Sequence, residues 1–187
     1  QVMPKDAIVA SEAGTSGGAL MGAMDFDRPG DYYSARGGAL GWGIPGAIGV
    51  KLANPHRPVV AVVADGSSMY TVQGLWTASR YNIPVTYVIC NNASYRILKQ
   101  GMAMYLTDTG RESQYLGMNF QELPLNLAKM AEAFNMEGIR VEKGDDLRRA
   151  YEKALSSNRP TLVDVVIDNT LPVRDIQDDY RPFAPKR

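Results

Sequence analysis

Short apolar runs alternate along the chain with amphipathic or small-residue stretches. The runs contain consecutive β-branched and apolar residues, which is typical of strands that are covered on both faces. The predicted strands are 7–11, 31–34, 59–65, 85–91, 138–141 and 162–168. The predicted helices between them are 17–24, 44–53, 69–81, 120–134 and 146–156. This order predicts an α/β fold, a three-layer α/β/α sandwich around a mostly parallel sheet.

The length and the charge balance of the chain narrow the possible functions. Its 187 residues suit one domain with a sizeable core. The 20 basic and 20 acidic residues are spread along the sequence, which predicts no nucleic-acid partner and no membrane-surface partner. No apolar run approaches the roughly 20 residues of a membrane span. The single cysteine, Cys90, lies in the run "VTYVIC", which predicts a core residue and a reducing, cytoplasmic compartment.

Polar residues stand where two of the predicted strands end. Asp65 closes the run "VVAVVAD", and Asn92 follows it by 27 positions, after one further helix and strand. Because a strand–helix–strand unit returns the chain alongside its start, both ends are expected at one edge of the sheet. A carboxylate, an amide oxygen and a loop carbonyl suit Mg²⁺, and Gly66 would let a phosphate approach the backbone. The pair therefore predicts a Mg²⁺–diphosphate clamp.

Other interpretations of these residues remain open at this point. An Asp-Gly pair or an Asn-Asn pair taken singly is more often a turn or a helix cap. A different Mg²⁺–nucleotide binder of doubly wound fold is also possible. Against it, the sequence has no G-x-x-x-x-G-K-[ST] loop and no G-x-G-x-x-G after the first strand.

The segment from "VADGSS" to "ICNN" resembles the thiamine diphosphate-binding motif, in which Gly-Asp-Gly is followed some two dozen residues later by Asn-Asn. The likeness extends to "GGALGWGIPGAIGV", "DAIVASEAGTSGGAL" and "RPTLVDVVID". Over residues 4–170 the chain resembles the diphosphate-binding domain of the benzoylformate decarboxylase and acetolactate synthase group. One departure is visible, because Ala64 stands where the motif has its first glycine.

The resemblance implies a set of cofactor-binding residues. It makes Asp65, the Asn92 side chain and the Ser94 carbonyl the Mg²⁺ ligands. It places the diphosphate against Gly14, Thr15, Ser16, Gly66, Ser67 and Tyr95. Leu40 would lie under the cofactor and force its V shape, and the Gly38 carbonyl would accept a hydrogen bond from the 4′-amino group. The alternatives are core packing for Leu40 and ordinary helix caps for Ser16 and Ser67.

The resemblance also implies thiamine diphosphate chemistry on a 2-oxo acid, either decarboxylation or carboligation. The glutamate that activates the cofactor in this family belongs to a pyrimidine-binding domain, normally on a partner subunit, so a homo-oligomer (dimer or tetramer) is expected. No catalytic residue is predicted within this chain. Glu12 matches the diphosphate domain's own loop, and His56 is predicted at the opposite edge of the sheet. Two interpretations remain for Met69, Tyr70, Met102 and Met104: they border the pocket, or they fill the core.

The predicted organisation is one cofactor-binding domain over residues 1–170 and an extended tail over residues 171–187. The segment around Gln1 is similar to the last turn of a helix, which favours a C-terminal fragment of a three-domain enzyme over one subunit of a split enzyme. A catalytically silent homologue that serves as an assembly module is the further alternative. The isolated chain is expected to bind thiamine diphosphate weakly and to turn over no 2-oxo acid.

Overall fold

Six parallel strands form one sheet in a computed structural model that describes residues 3–107 and 114–171. The strands are β1 (Ile8–Glu12), β2 (Tyr32–Ser34), β3 (Val59–Ala64), β4 (Thr86–Asn91), β5 (Glu137–Val141) and β6 (Thr161–Val166). Their spatial order is β2-β1-β3-β4-β6-β5, so β1, β3 and β4 lie side by side. The parallel sheet of the predicted fold is confirmed.

Helices connect these strands. They are α1 (Gly17–Ala23), α2 (Gly43–Ala53), α3 (Asp65–Ser68), α4 (Gly74–Arg80), α5 (Arg96–Thr107), α6 (Leu127–Ala133) and α7 (Gly144–Ser156). Two short 3₁₀ turns, Gly14–Ser16 and Arg36–Gly38, follow β1 and β2. Both turns lie at the carboxyl ends of their strands, which is the edge where ligands bind in such sheets.

The continuous apolar run of β3 is explained by helices on both faces of the sheet. Val59, Ala61 and Val63 pack into one core cluster together with residues of α2, α4 and α6. Val60 and Val62 belong to a second cluster on the other face, against which residues of α1 and α7 pack. Alternate residues of one strand thus enter opposite cores, which confirms the three-layer arrangement.

The element boundaries differ from the sequence-based prediction in three places. The predicted helix 69–81 is shortened to α4, and a separate short helix, α3, begins at Asp65, which was predicted as the last residue of a strand. The predicted helix 120–134 is only α6, because Pro124 precedes it and Asn126 caps its start, accepting from the Lys129 N–H at 2.9 Å. Helix α5 was not predicted, and its exposed Ile97, Leu98 and Tyr105 explain why no single buried stripe marks it.

The structure covers only part of what was expected for the ends of the chain. Of the predicted tail 171–187, all but residue 171 lies outside the described residues. Within residues 3–107 and 114–171, no helix combines the length and the apolar character needed to cross a bilayer.

Candidate functional site

A cavity of about 490 Å³ lies at the carboxyl edge of the sheet, where the loops after β1, β2, β3 and β4 meet. Ten of the eleven residues that the sequence assigned to cofactor binding line it: Gly14, Thr15, Gly38, Leu40, Asp65, Gly66, Ser67, Asn92, Ser94 and Tyr95. Ser16 is in the same 3₁₀ turn as Gly14, but it lies outside this lining. The fold therefore brings the predicted positions together around one space, and their contact with a cofactor stays a prediction.

Asp65 is the most deeply buried charged group of this cavity. It is the first residue of the short helix α3, directly after β3, and it is 1% exposed. Oδ1 accepts the Gly66 N–H at 2.8 Å, whereas Oδ2 has no hydrogen-bond partner. Burial raises the pKa of Asp65, and the surrounding backbone N–H groups, that of Gly66 foremost, act in the opposite direction. A buried carboxylate oxygen without a donor is costly, so this atom requires an explanation.

The two adjacent asparagines at the end of β4 have different surroundings. The Asn91 amide donates to the Leu125 carbonyl at 3.0 Å and to Asp164 Oδ1 at 2.8 Å. Its oxygen accepts the Ala93 N–H at 3.2 Å, so Asn91 is fully engaged in holding the loop. Asn92 is 6% exposed and lines the cavity, and its Oδ1 has no hydrogen-bond partner.

The oxygen atoms at this edge are suitable ligands for a hard divalent cation. Asp65 Oδ2 and Asn92 Oδ1 are both buried oxygens without a donor, and both residues line the same cavity. The bridge that pairs Ser94 with Asn119 uses the Ala93 carbonyl and the Tyr95 N–H, not the Ser94 carbonyl. Two side-chain oxygens and one loop carbonyl match the preference of Mg²⁺, which takes its remaining ligands from phosphate and water. Such a set contains one carboxylate, consistent with the lack of any cluster of three His, Cys, Asp or Glu among the described residues.

Ala64, the departure from the glycine of the motif, causes no backbone strain. Its φ of −74° and ψ of 151° are ordinary extended values that any residue adopts. Its methyl group faces the 3₁₀ turn after β1, since a Cβ built on Gly14 would lie 3.5 Å from it. The methyl therefore occupies space at the cavity wall without disturbing the position of Asp65.

Gly66 is glycine for a reason that the sequence did not reveal. A Cβ at this position would lie 2.8 Å from Cε1 of the Tyr95 ring. That ring packs edge-on against Phe120, with the ring centroids 4.5 Å apart. The close approach of an aromatic ring thus requires glycine here, in addition to any phosphate that would approach the backbone.

Leu40 is not a core residue. It is 55% exposed and lines the cavity, so the core-packing alternative is wrong. Before Leu40, Gly38 has a left-handed backbone conformation with φ of +70°. After Leu40, the Gly41 N–H donates to Glu12 Oε1 at 2.6 Å. Leu40 therefore projects from a backbone segment that is anchored after it.

The structure also shows where the other residues considered in the sequence analysis lie relative to the cavity. His56 is exposed in the turn before β3, at the opposite edge of the sheet, as predicted. Tyr70 lines the cavity, whereas Met69, Met102 and Met104 are absent from its described lining.

Cys90 packs in the core, and burial raises the pKa of its thiol. The thiol is therefore protonated at neutral pH, which agrees with the core position that the sequence predicted.

The structure adds residues to the site that sequence reasoning missed. Arg96 begins α5 and is the one cationic side chain in the described lining, and its buried Nε has no hydrogen-bond partner. Ile97 and Leu98 follow it at the mouth of the cavity and are 57% and 54% exposed. Recognising α5 as a helix that begins at the cavity would have identified all three positions.

Comparison with known proteins places this chain in a family. A family model described as the C-terminal TPP-binding domain of thiamine pyrophosphate enzymes matches residues 12–165. The chain is 35% identical over 176 residues to the large subunit of acetolactate synthase isozyme 3 from Escherichia coli, covering 92% of this chain and 30% of that protein. It is 28% identical over 162 residues to benzoylformate decarboxylase from Pseudomonas aeruginosa, covering 87% of this chain and 29% of that protein.

A solved structure agrees with these relatives. The thiamine diphosphate-dependent 4-hydroxybenzoylformate decarboxylase from Rhodococcus jostii superposes with a TM-score of 0.79 at 34% identity, covering 89% of this chain and 30% of that one. The chain thus spans less than a third of the length of these proteins. The chain belongs to the thiamine pyrophosphate enzymes and corresponds to their C-terminal TPP-binding domain.

Proposed function

We propose that this chain binds thiamine diphosphate and Mg²⁺ as part of an enzyme that decarboxylates or carboligates 2-oxo acids. The observation that carries the proposal is the pair of buried, unpartnered oxygens, Asp65 Oδ2 and Asn92 Oδ1, at one cavity. A cation bound there would satisfy both oxygens and attract a diphosphate. The names of the relatives, acetolactate synthase and benzoylformate decarboxylase, support the reaction class.

The residues of this chain would bind and orient the cofactor. Asp65, Asn92 and the Ser94 carbonyl would hold Mg²⁺, and the small residues of the lining, Gly14, Thr15, Gly66 and Ser67, would leave room for the diphosphate. Gly38 and Leu40 would support its ring portion. When bound, thiamine diphosphate supplies the nucleophilic carbon and the electron sink that 2-oxo acid chemistry needs.

Among the described residues, part of the cavity lining is exposed apolar surface, and the carboxylates in the lining are Asp65 and Glu12. Leu40, Ile97 and Leu98 are each more than half exposed at its lining, although they are large and apolar. Glu12, a carboxylate in the lining, is engaged by two backbone N–H groups. These features support a site completed by a pyrimidine-binding domain of the same or a partner chain, in a homo-oligomer. The isolated chain would then bind the cofactor weakly and turn over no 2-oxo acid.

Calorimetric titration of the chain with thiamine diphosphate, with and without Mg²⁺, tests the proposal. We expect Mg²⁺-dependent binding that Asp65→Asn weakens by about 100-fold, because the anionic oxygen ligand is replaced by a neutral amide oxygen. Asp145→Asn is the matched control, since Asp145 is also a first-turn helix carboxylate but is exposed in α7. The control should bind like the wild type. Metal-independent binding, or binding of ATP in place of thiamine diphosphate, would contradict the proposal.

A further inference from the structure

Three hydrogen bonds anchor the segment 37–43 to two other segments, the end of β1 and the chain after α3. Glu12, at the end of β1, accepts the Gly41 N–H on Oε1 at 2.6 Å and the Gly43 N–H on Oε2 at 2.5 Å. From the segment after α3, Thr71 Oγ1 donates to the Gly41 carbonyl at 2.7 Å. Gly41 is therefore bound through both its N–H and its carbonyl, by side chains from different parts of the sheet edge.

The anchored backbone lies in direct contact with its surroundings. Gly41 has φ of +91°, and a Cβ on it would lie 2.9 Å from the Tyr70 Cβ and 3.0 Å from the Thr71 Cγ2. A Cβ on Gly43 would lie 2.8 Å from Cγ2 of Val63 in β3. No side chain fits at either position, so the two glycines allow the loop to sit directly on β3 and on the segment that follows α3.

Residues 38–40 depend on this anchor for their position. Leu40 is 55% exposed, so its own packing does not hold it. Gly37 and Gly38 have φ of +72° and +70°, and a Cβ on either would meet nothing within 4 Å. Glycines with open space around them have wide conformational freedom, which the attachment at Gly41 restricts on the C-terminal side.

We propose that Glu12 and Thr71 are positioning residues that fix Gly38 and Leu40 for the ring portion of the cofactor. This inference rests on the proposed function. The simpler alternative is that Glu12 only caps α2, whose first residue is Gly43. A cap alone contributes to stability and does not distinguish one part of the ligand from another, whereas a positioning pair selectively affects binding of the ring portion.

The test compares two ligands on the full 187-residue chain, each titrated calorimetrically with Mg²⁺ present. Thiamine diphosphate probes the whole site, and inorganic diphosphate probes only the metal and phosphate part. Glu12→Gln replaces one acceptor oxygen by an amide donor, and Thr71→Val removes the hydroxyl from the other side of Gly41. Each variant should weaken thiamine diphosphate binding by about tenfold and change diphosphate binding by less than about twofold. Thr71→Ser, which keeps the hydroxyl, should restore the wild-type ratio.

Asp31→Asn is the matched structural control. Asp31 is also a buried carboxylate with several partners, Arg28 and Arg57, but it precedes β2 at the opposite edge of the sheet. Its substitution should leave the ratio of the two affinities unchanged, whatever it does to stability. If Glu12→Gln does not fold, Thr71→Val alone decides the question. Equal weakening of both ligands, or no weakening of either, overturns the positioning role, and failure of the wild type to bind thiamine diphosphate overturns the proposed function as well.

Discussion

Two aspartates, Asp65 and Asp164, are buried to the same extent in this domain and have opposite surroundings. They are 1% and 0% exposed. Asp164, in β6, accepts the Asn91 amide at 2.8 Å on Oδ1, and the Leu127 N–H at 3.1 Å and Arg140 Nη1 at 2.8 Å on Oδ2. Asp65, at the end of β3, accepts only the Gly66 N–H in good geometry, and its Oδ2 accepts none.

This difference separates a structural carboxylate from a binding carboxylate. Asp164 connects β6 to β4, to β5 and to the start of α6, so its buried charge is compensated within the chain. Asp65 carries a buried charge that its own domain leaves partly unsatisfied, a cost that a ligand can offset. The adjacent asparagines divide in the same way, because Asn91 bonds to Asp164 and Asn92 keeps a free buried oxygen beside the cavity. Satisfaction of hydrogen bonds, and not burial, distinguishes the two roles.

The largest expected effect follows from substituting each aspartate by asparagine in the metal-free chain. Asp164→Asn should lower the free energy of unfolding by about 3 kcal/mol, because Arg140 and the Leu127 N–H lose a charged acceptor. Asp65→Asn should leave it unchanged or raise it, because a costly buried charge is removed. Urea denaturation of both variants measures the contrast. Destabilisation of the two by similar amounts would remove the distinction between them.

A pH effect is expected at Asp65. Burial raises its pKa above the ordinary value of 3.8, so in the folded chain it stays protonated over a range in which the unfolded chain is already ionised. Stability of the metal-free chain should therefore fall as pH rises through that range, and affinity for Mg²⁺ with thiamine diphosphate should rise, by up to about tenfold per pH unit.

The matched control for this pH effect is the Asp65→Asn variant. It lacks the ionisable group at position 65 but keeps every other ionisable group of the chain. Subtracting its pH dependence of unfolding free energy from that of the wild type isolates the contribution of Asp65. A difference that does not vary with pH would show that burial does not perturb this carboxyl.

The smallest effect is expected from Ala64→Gly, which restores the glycine of the motif. Ala64 has ordinary extended angles, so the substitution relieves no strain and should lower the free energy of unfolding by about 0.5–1 kcal/mol through chain entropy. Affinity for thiamine diphosphate should change by less than about threefold, since Asp65 keeps its position. Calorimetry and urea denaturation measure the two quantities. A tenfold gain in affinity would show instead that the Ala64 methyl crowds the ligand.

The sequence predicted the strands and the meeting of Asp65 with Asn92 because both depend on local patterns. Apolar runs of β-branched residues indicate buried parallel strands, and a strand–helix–strand unit brings their ends to one edge. The break between α3 and α4 and the start of α5 were not predictable in the same way. Helix α5 leaves Ile97 and Leu98 exposed at the cavity, so the usual buried stripe is missing where the site requires an open face.

The linear order of residues determined the fold class, the family and ten of the positions that line the cavity, because motif spacing and strand patterning are written along the chain. Only the tertiary structure decided which polar groups are satisfied. Asp65 and Asp164, or Asn91 and Asn92, are indistinguishable by residue type, and their roles depend on partners up to 73 positions away. The same holds for Glu12 and Thr71, which meet at Gly41 from opposite sides. These hydrogen bonds join residues that are far apart in the sequence. They form only when the chain packs, so no local sequence pattern reveals them.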